Sequence, residues 1–245
     1  MESVIRLLPY ADADGATNMA ADEALVRAAA ECVASLRFYG WTTATVSLGY
    51  FQPRAVRLTN SNLANLPWVR RTSGGATLVH HHELTYALAL PAGAPWHSGE
   101  SWLLRMHRVI TAALEDLGLL GKIELVGQHP IKHGDVLCFQ QHTVGDVLCA
   151  GHKIVGSAQR KHRLALLQHG SILLAQSEHA PALPGIRETV GVTLNCEQVQ
   201  SGIERAFTVQ TGWRLEPGVW NEHELQTINE LRREKYATAA WNERR

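Results

Sequence analysis

The stretch that decides the fold lies at residues 70–90 and reads RRTSGGATLVHHHELTYALAL. It joins an arginine pair and the Gly74-Gly75 pair to two β-like runs, at residues 76–80 and 84–90. Paired glycines after a strand let the backbone approach a ligand closely, and the two arginines can hold an anionic group. The spacing matches neither GxGxxG nor a P-loop, and a tight surface β-turn explains the same residues.

On both sides of this stretch, further β-like runs and helical patterns follow without strict alternation. The sequence predicts a helix over residues 18–32, with Thr17 or Asn18 as its N-cap. A 3.6-residue apolar pattern predicts a second helix over residues 100–117 that stops at Gly118. Two more helices are predicted towards the C-terminus, at residues 196–210 with Asn195 as N-cap and at residues 222–236.

The remaining predicted strands are bunched between these helices rather than alternating with them. They lie at residues 36–40, 45–50, 68–71, 122–126, 146–150, 153–159 and 169–174. Residues 176–193 and 213–221 are rich in Pro and Gly and are interpreted as loops. Strands grouped in this way predict an α+β fold with a mostly antiparallel sheet.

Composition limits the classes of function. The 245 residues carry 23 basic and 23 acidic side chains, so the formal net charge is zero, which argues against a broad basic surface for nucleic acid. No apolar run approaches ~20 residues, the length that a membrane span needs. The first 15 residues lack a signal-peptide pattern, and four cysteines without a CxxC pair fit free thiols in a reducing compartment. We therefore expect a cytoplasmic protein.

A chemical candidate lies in GHKIVGSAQ at residues 151–159. Gly151 and His152 can turn the preceding strand back onto this one as a hairpin. Strand alternation predicts that Lys153 and Gly156 lie on opposite faces of the strand. A lysine on the inward face can bind a carbonyl, carboxylate or phosphate. From spacing alone, an exposed hairpin lysine is the simpler interpretation, because buried lysine is rare.

A second candidate is Cys138, which precedes Phe139 in a polar segment at residues 127–145. Three histidines of that segment make an accessible, activated thiol a reasonable hypothesis: His129, His133 and His142. A small buried hydrophobe is the commoner state of a free cysteine. Cys32 and Cys149 are interpreted as packing residues. Cys196 is a weaker candidate, because it lies at a helix start.

Histidines also raise the question of a metal site. His80 and His82 would share one face of a strand, and such a pair can ligate a metal ion. No carboxylate completes a usual ligand spacing, although Glu83 is adjacent, so no metal site is predicted. His169 is interpreted either as a core imidazole or as a pocket residue.

Taken together, these segments resemble the catalytic domain of the lipoate–biotin protein ligase family, specifically its lipoyl-attachment branch. The resemblance runs over nearly the whole chain and keeps one order. It is carried by NMAADEAL (18–25), LRFYGW and TVSLGYFQ (36–52), RRTSGGATLVHHHELTYAL (70–88), GHKIVGSAQRK and LLQHGSILL (151–174) and KYATAAWNERR (235–245). Several long motifs in register are more specific than any one of them, so they favour functional roles for Lys153 and for the Gly74-Gly75 turn.

The resemblance implies a single catalytic domain over residues 1–245, without a separate C-terminal accessory domain. Its fold would be a central mixed, mostly antiparallel sheet flanked by helices, as in the biotin and lipoate protein ligases. One branch of this family consists of ATP-dependent lipoate ligases. Another moves octanoyl from acyl carrier protein to a lipoyl-domain lysine through a cysteine on a loop before the lysine strand, often followed by phenylalanine. Cys138 and Phe139 stand at that place, which favours an octanoyltransferase.

The resemblance also implies roles for individual residues. Cys138 would be the nucleophile, and Lys153 would stabilise its thiolate and the tetrahedral oxyanion. Ala76 stands where a third glycine or an arginine is usual, and His81 where an aspartate is common. The acyl chain would lie in a tunnel beside the glycine turn, with these substrate-binding residues: Arg70, Arg71, Ser73, Gly74, Gly75, Ala76, His80, Gly156, Ser157, Ala158, His169 and Gly170.

The partners implied are octanoyl-acyl carrier protein as donor and a lipoyl domain as acceptor, with no nucleic acid and no membrane. The acceptor would be the glycine cleavage H protein or the E2 component of a 2-oxoacid dehydrogenase. The transfer requires no cofactor, whereas an ATP-dependent lipoate ligase, the main competing function, requires ATP and Mg. The same motifs are compatible with octanoyl transfer between two lipoyl domains and with non-catalytic binding of a lipoyl domain.

Overall fold

A computed structural model describes residues 3–59, 61–97, 99–127, 137–162 and 164–245. Eleven strands run through these residues: β1 (Val4–Ala13), β2 (Ser35–Trp41), β3 (Thr45–Leu48), β4 (Trp68–Arg70), β5 (Leu78–His80), β6 (Glu83–Pro91), β7 (Ile123–Leu125), β8 (Val147–Cys149), β9 (His152–Lys161), β10 (Ala165–Leu173) and β11 (Arg214–Pro217). Their helices are α1 (Gly15–Ala30), α2 (Ser61–Ala64), α3 (Trp102–Leu114), α4 (Ile186–Val190), α5 (Cys196–Thr211), α6 (Glu222–Leu231) and α7 (Ala239–Asn242).

Eight of these strands form one mixed sheet in the order β11-β1-β2-β6-β10-β9-β8-β7. The pairs β11-β1 and β1-β2 are parallel, and the remaining pairs are antiparallel. A smaller sheet, in the order β4-β3-β5, lies beside it. The predicted α+β fold with a mixed, mostly antiparallel sheet is therefore confirmed.

The large sheet is covered on both faces because its central strands alternate between two apolar sets. Phe38 and Leu88 belong to the larger core, which the apolar stripes of α3 and α5 complete. Ala87 and Ala89 point to the other face, where they pack with α1. Small alanine side chains on β6 and α1 allow that helix to lie close to the sheet.

Several boundaries differ from the predictions. The N-cap of α1 is Asp14, whose carboxylate accepts a hydrogen bond from Thr17 N at 2.7 Å, so the prediction of Thr17 or Asn18 was wrong. After α3 the chain continues through a π-helical turn, Glu115–Leu119, in which Gly118 has φ of 101°. The helix at residues 222–236 likewise ends in a π-helical turn, Arg232–Tyr236.

Two strands, β1 and β11, and three short helices, α2, α4 and α7, were not predicted from the sequence. β1 contains a proline and shows no clean alternation between buried and exposed residues, so its pattern did not predict a strand. β11 is a four-residue edge strand, and α4 is a helix of five residues, both in segments interpreted as loops. In the part of the chain that is described, no helix combines the length and apolar character of a membrane span.

Candidate active site

A narrow, mainly apolar pocket lies between the small sheet and strands β9 and β10. It holds about 460 Å³ of atom-free space, part of which is open solvent. Predicted site residues in its lining are Arg71, Gly75, His80, Cys138, Gly156, Ser157, Ala158, His169 and Gly170. The structure therefore brings together segments that are up to about 100 residues apart in the chain.

The turn at Gly74-Gly75 comes close to Cys138 through backbone pairing. Gly75 adopts φ of 90°, and a Cβ placed on Gly49 would lie 1.9 Å from the Gly75 carbonyl oxygen, so the two backbones touch. Beyond the turn, Thr77 forms an isolated parallel bridge with Leu137, and Thr77 O accepts a hydrogen bond from Cys138 N at 2.8 Å. These contacts fix Cys138 at the pocket wall, at the start of the 3-10 turn Cys138–Gln140.

The cation that acts on Cys138 is Arg71. This side chain is buried, and its guanidinium donates to Ser47 O and Oγ at 2.8 and 2.7 Å. It also donates to the carbonyl oxygens of Gly74 and Ala76, both at 3.0 Å. Burial lowers the pKa of Arg71 to about 10, while the charge of the Cys138 thiolate raises it. A buried guanidinium thus braces the glycine turn and presents positive charge to the thiol.

Behind Arg71 lies a buried relay of side chains that begins at Glu83. His80 Nε2 and Ser47 Oγ are 2.6 Å apart, and His80 Nδ1 and Glu83 Oε1 are also 2.6 Å apart. The His80 ring stacks on Trp41 with 3.8 Å between centroids. Burial raises the pKa of Glu83. The charge of His80 and the hydrogen bonds to the carboxylate lower this pKa by more, so it lies below its ordinary value. His80 therefore connects a carboxylate to the Ser47–Arg71 pair.

Lys153 is buried, so the interpretation as an exposed hairpin lysine was wrong. The β8–β9 turn is centred on Ala150 and Gly151, both with positive φ, one residue earlier than predicted. The β8–β9 register then shifts between Val147 and Leu148. As a result Lys153 lies over Gly156, where an added Cβ would be 2.5 Å from Lys153 Cε, and not on the opposite face as strand alternation predicts.

The ammonium of Lys153 is paired with Asp146. Their Nζ and Oδ2 atoms are 2.8 Å apart, with only 4% of each side chain exposed. Lys153 Nζ also donates to Gln141 O at 3.3 Å and lies 5.2 Å from the centre of the Phe139 ring. Lys153 therefore sits behind the pocket wall formed by Phe139 and Gly156.

A second buried relay ends in the glycine turn. His169 Nε2 and Ser73 Oγ are 2.5 Å apart, and His169 Nδ1 and Asp22 Oδ2 are 2.8 Å apart. The other Asp22 oxygen pairs with Arg37 Nη1 at 3.4 Å. His169 lines the pocket, and Ser73 lies behind His169 and is hydrogen-bonded to it.

The Lipoyl protein ligase A/B catalytic domain model matches residues 14–182 of this chain, a range that contains every residue lining the pocket. The chain belongs to this family. It is 32% identical to the octanoyltransferase LipM of Moorella thermoacetica over 98% of both chains. It is 27% identical to the octanoyltransferase LipM of Bacillus subtilis, again over 98% of both chains.

Solved structures agree with the fold of the lipoyl protein ligase family. A lipoate-protein ligase A bound with ATP superposes with a TM-score of 0.77 at 24% identity, over 99% of both chains. The bipartite lipoate protein ligase of Thermoplasma acidophilum gives a TM-score of 0.72 at 20% identity, over 99% of this chain and 97% of that one. These neighbours support the large mixed sheet flanked by helices.

Not every residue that the family resemblance implied faces the pocket. Arg70 is buried and points to the C-terminal segment, where its Nε donates to Asn242 O at 2.9 Å. Gly74 and Ala76 contribute the carbonyl oxygens that Arg71 holds. Of the cysteines, Cys149 is buried as expected, but Cys32 is exposed rather than packed.

Cys196 is a poorer nucleophile than its helix-start position suggested. Burial raises the pKa of its thiol, and Sγ lies 3.7 Å from Glu83 O, outside the lining of the pocket that contains Cys138. Of the three histidines expected near Cys138, His129 and His133 lie outside the described residues. His142 is described and is absent from the pocket lining.

Sequence reasoning did not include the remaining lining residues, most of them aromatic or apolar, among the site residues: Met19, Tyr39, Trp41, Leu78, Thr85, Phe139 and Ser171. Tyr39 and Trp41 occur in the quoted run LRFYGW and lie two apart on β2, so strand alternation could have placed them on one face. Met19 comes from the first turns of α1, and nothing in its pattern distinguishes it from a core residue.

A possible metal-ligand group differs from the pair considered in the sequence. Within the described ranges, the group is His81, His82 and Glu178, whose ligand atoms lie within 4.8 Å of one another. Both ring nitrogens of His80 are instead hydrogen-bonded, to Ser47 and to Glu83. Because His82 and Glu178 are exposed and His81 Nδ1 is already 3.0 Å from Ser177 Oγ, this group adds nothing to the chemistry of the pocket.

Proposed function

We propose that Cys138 carries an octanoyl group as a thioester while this chain transfers it from acyl carrier protein to a lipoyl-domain lysine. That the chain is an octanoyltransferase of protein lipoylation follows from its full-length similarity to octanoyltransferases. The route through Cys138, the identity of the donor and the identity of the acceptor are the proposal.

The observation that carries the proposal is the position of Cys138. Its half-buried side chain lines a narrow apolar pocket, and Arg71 presents a buried positive charge to it. A thiolate is the reactive form of cysteine, and a nearby cation favours it. An apolar wall beside the thiol is what an eight-carbon chain needs to leave water.

In the first step, the Cys138 thiolate attacks the carbonyl carbon of the octanoyl thioester. The bond to the carrier sulfur breaks, and the carrier leaves as a thiol after taking up one proton. One thioester replaces another, so this exchange is close to neutral in free energy. The proposal therefore includes no ATP and no Mg.

In the second step, the neutral ε-amine of the acceptor lysine attacks the acyl-enzyme. An amide bond forms, the Cys138 sulfur leaves, and the proton that the amine loses balances the one taken up by the carrier. Both steps pass through a tetrahedral oxyanion. We assign Lys153 to stabilise it through the charge that its ammonium keeps behind Gly156 and Phe139.

We assign contact with the acyl chain to the lining segments on either side of Cys138. On one side these are Gly75 and Leu78, and on the other Gly156, Ser157 and Ala158. His169 and Ser73 would hold the glycine turn in place rather than touch the reacting atoms, because both are bonded to other side chains.

The test is octanoyl transfer by the Cys138→Ala and Cys138→Ser variants, with Cys196→Ala as the matched control. We expect both Cys138 variants to stay folded and to lose transfer from octanoyl-acyl carrier protein to a lipoyl domain. Intact-mass spectrometry of the unmodified chain should show a labile octanoyl adduct on the peptide that contains Cys138 and Phe139. Full activity of Cys138→Ala would reject covalent catalysis.

The same assay separates this route from the competing functions. Lipoate-dependent release of pyrophosphate from ATP would identify a ligase, and transfer from an octanoylated lipoyl domain would identify an amidotransferase. The glycine cleavage H protein and a 2-oxoacid dehydrogenase E2 domain are compared as acceptors. Binding of a lipoyl domain without any turnover would identify a non-catalytic binding protein.

A further inference from the structure

Three arginines converge on one aromatic ring at the edge of the glycine turn. The guanidinium carbons of Arg160, Arg244 and Arg245 lie 5.7, 4.7 and 5.3 Å from the centre of the Tyr50 ring. Arg245 also lies 5.3 Å from the ring centre of Phe51. We call this group, Tyr50, Phe51, Arg160, Arg244 and Arg245, the arginine–aromatic surface.

The arginines of this surface carry positive charge that the described side chains leave without a salt bridge. Among the described residues, no carboxylate forms an ion pair with Arg160, Arg244 or Arg245. The neighbouring acidic side chain, Glu243, is paired with Arg54. Burial and then the charges of Arg244 and Arg245 lower the pKa of the nearby Arg70. The arginines are exposed, so their charges are available to an external anion.

The surface is continuous with the mouth of the pocket. Tyr50 N donates to Ser73 O at 2.8 Å, which ties the ring to the glycine turn. A Cβ placed on Gly74 would lie 4.0 Å from the Phe51 ring, and 69% of Phe51 is exposed to solvent. Arg160 donates to Thr72 O at 3.0 Å. The arginine–aromatic surface therefore lies beside the glycine turn, whose Gly75 lines the pocket.

We propose that the arginine–aromatic surface binds the phosphodiester of the pantetheine arm by which the acyl donor presents its thioester. This inference rests on the proposed function, because it names the part of the donor that the enzyme recognises. Guanidinium groups bind phosphate oxygens through paired hydrogen bonds. Rings that hold these groups in place reduce the freedom lost on binding.

Charge distinguishes the donor from the acceptor at this surface. The acceptor arrives with a lysine side chain that is an ammonium in water, and three unpaired guanidinium groups repel it. The donor arrives with a neutral thioester at the end of an anionic arm, which the same groups attract. The surface therefore favours the acylation half of the reaction.

The experiment compares two small octanoyl donors that differ only in the phosphate, octanoyl-4′-phosphopantetheine and octanoyl-pantetheine. The second-order rate of octanoyl-adduct formation is followed by intact-mass spectrometry. For the unmodified chain we expect the phosphorylated donor to react about tenfold faster, in line with a charge-assisted hydrogen bond or two. In Arg244→Gln/Arg245→Gln and in Arg160→Gln this ratio falls towards one.

The matched control is Arg214→Gln, since Arg214 is also exposed but pairs with Glu216 on the edge strand β11; it should keep the ratio of the unmodified chain. High salt should reduce the ratio of the unmodified chain because it screens exposed charges. A ratio of one in the unmodified chain, or an unchanged ratio in the arginine variants, overturns the inference.

Two further outcomes distinguish a failure of this inference from a failure of the proposed covalent route through Cys138. If the arginine variants slow only the transfer from the acyl-enzyme to the lipoyl domain, the surface serves the acceptor and the inference is wrong. If neither donor forms an adduct on Cys138, the proposed covalent route fails, whatever the arginines do.

Discussion

At the scale of single residues, two cations near the pocket have different electrostatic surroundings. Among the described residues, Arg71 is hydrogen-bonded to neutral oxygens only, those of Ser47, Gly74 and Ala76, and none of them compensates its charge. Lys153 is 2.8 Å from the carboxylate of Asp146, which cancels most of its field at a distance. Of these two cations, Arg71 therefore acts in the pocket with the less compensated charge, whereas the family resemblance assigns stabilisation of the thiolate to Lys153.

This difference predicts the reactivity of the thiol. Arg71→Gln removes the buried positive charge from the pocket that Cys138 lines, so the rate of alkylation by iodoacetamide at neutral pH should fall about tenfold. Arg71→Lys keeps a charge and should reduce the rate less. Lys153→Gln should reduce it least, because the removed charge was already paired. A larger reduction in Lys153→Gln than in Arg71→Gln would contradict the assignment, and near-UV circular dichroism checks that each variant is folded.

At the scale of elements, β9 and β10 each contain a glycine at which an added Cβ would meet a close neighbour, and the two neighbours differ in kind. A Cβ on Gly170 would lie 2.6 Å from the backbone oxygen of Gly156 and 2.7 Å from the Tyr86 ring. A Cβ on Gly156 would instead meet the flexible end of Lys153, at 2.5 Å from Cε and 3.0 Å from Nζ. The first contact involves a backbone that is fixed in the sheet, and the second a side chain that can move.

We therefore expect the two alanine variants to separate stability from activity. Gly170→Ala should lower the free energy of unfolding by about 1–3 kcal/mol through overpacking. Gly156→Ala should lower it less but should displace Lys153 and slow octanoyl transfer. Urea unfolding and the transfer assay measure the two effects, with Gly127→Ala as a control at which a Cβ would meet nothing within 4 Å. Equal stability losses in both glycine variants would show that Lys153 cannot move aside.

The same elements show how far the sequence determines the structure. Apolar periodicity correctly located α3, which buries a regular apolar pattern, and the apolar run of β6 was also located. The strand β10 begins four residues before its predicted start, because its buried pattern is interrupted by polar residues. Periodicity failed for Lys153, since a register shift in the β8–β9 hairpin changes the face of every residue beyond it. Nor could it identify the partners of Arg71 and His169, which depend on contacts between segments distant in the sequence.

At the scale of the whole molecule, the C-terminal segment supports the loop that contacts the glycine turn. Asn242 in α7 accepts a hydrogen bond from Arg70 N at 2.8 Å, and its carbonyl oxygen accepts another from Arg70 Nε at 2.9 Å. Arg70 in turn donates to Gly49 O and Gln52 O, at 3.1 and 2.6 Å. Arg70 thus links Asn242, which is 172 positions away in the chain, to the loop that touches Gly75. Its hydrogen bonds are structural, whereas the family resemblance implied that Arg70 binds substrate.

This link predicts that a change in α7 loosens the pocket loop. Asn242→Ala leaves Arg70 N, inside a buried strand end, without its side-chain acceptor, so we expect a loss of about 1–3 kcal/mol in unfolding free energy. Hydrogen exchange should increase at residues 49–52 more than in β10, since β10 keeps all its ladder hydrogen bonds. Asn242→Asp retains an acceptor oxygen for Arg70 N and should recover most of the protection. Uniform exchange across the sheet in Asn242→Ala would mean that α7 supports the molecule as a whole and does not act on this loop through Arg70.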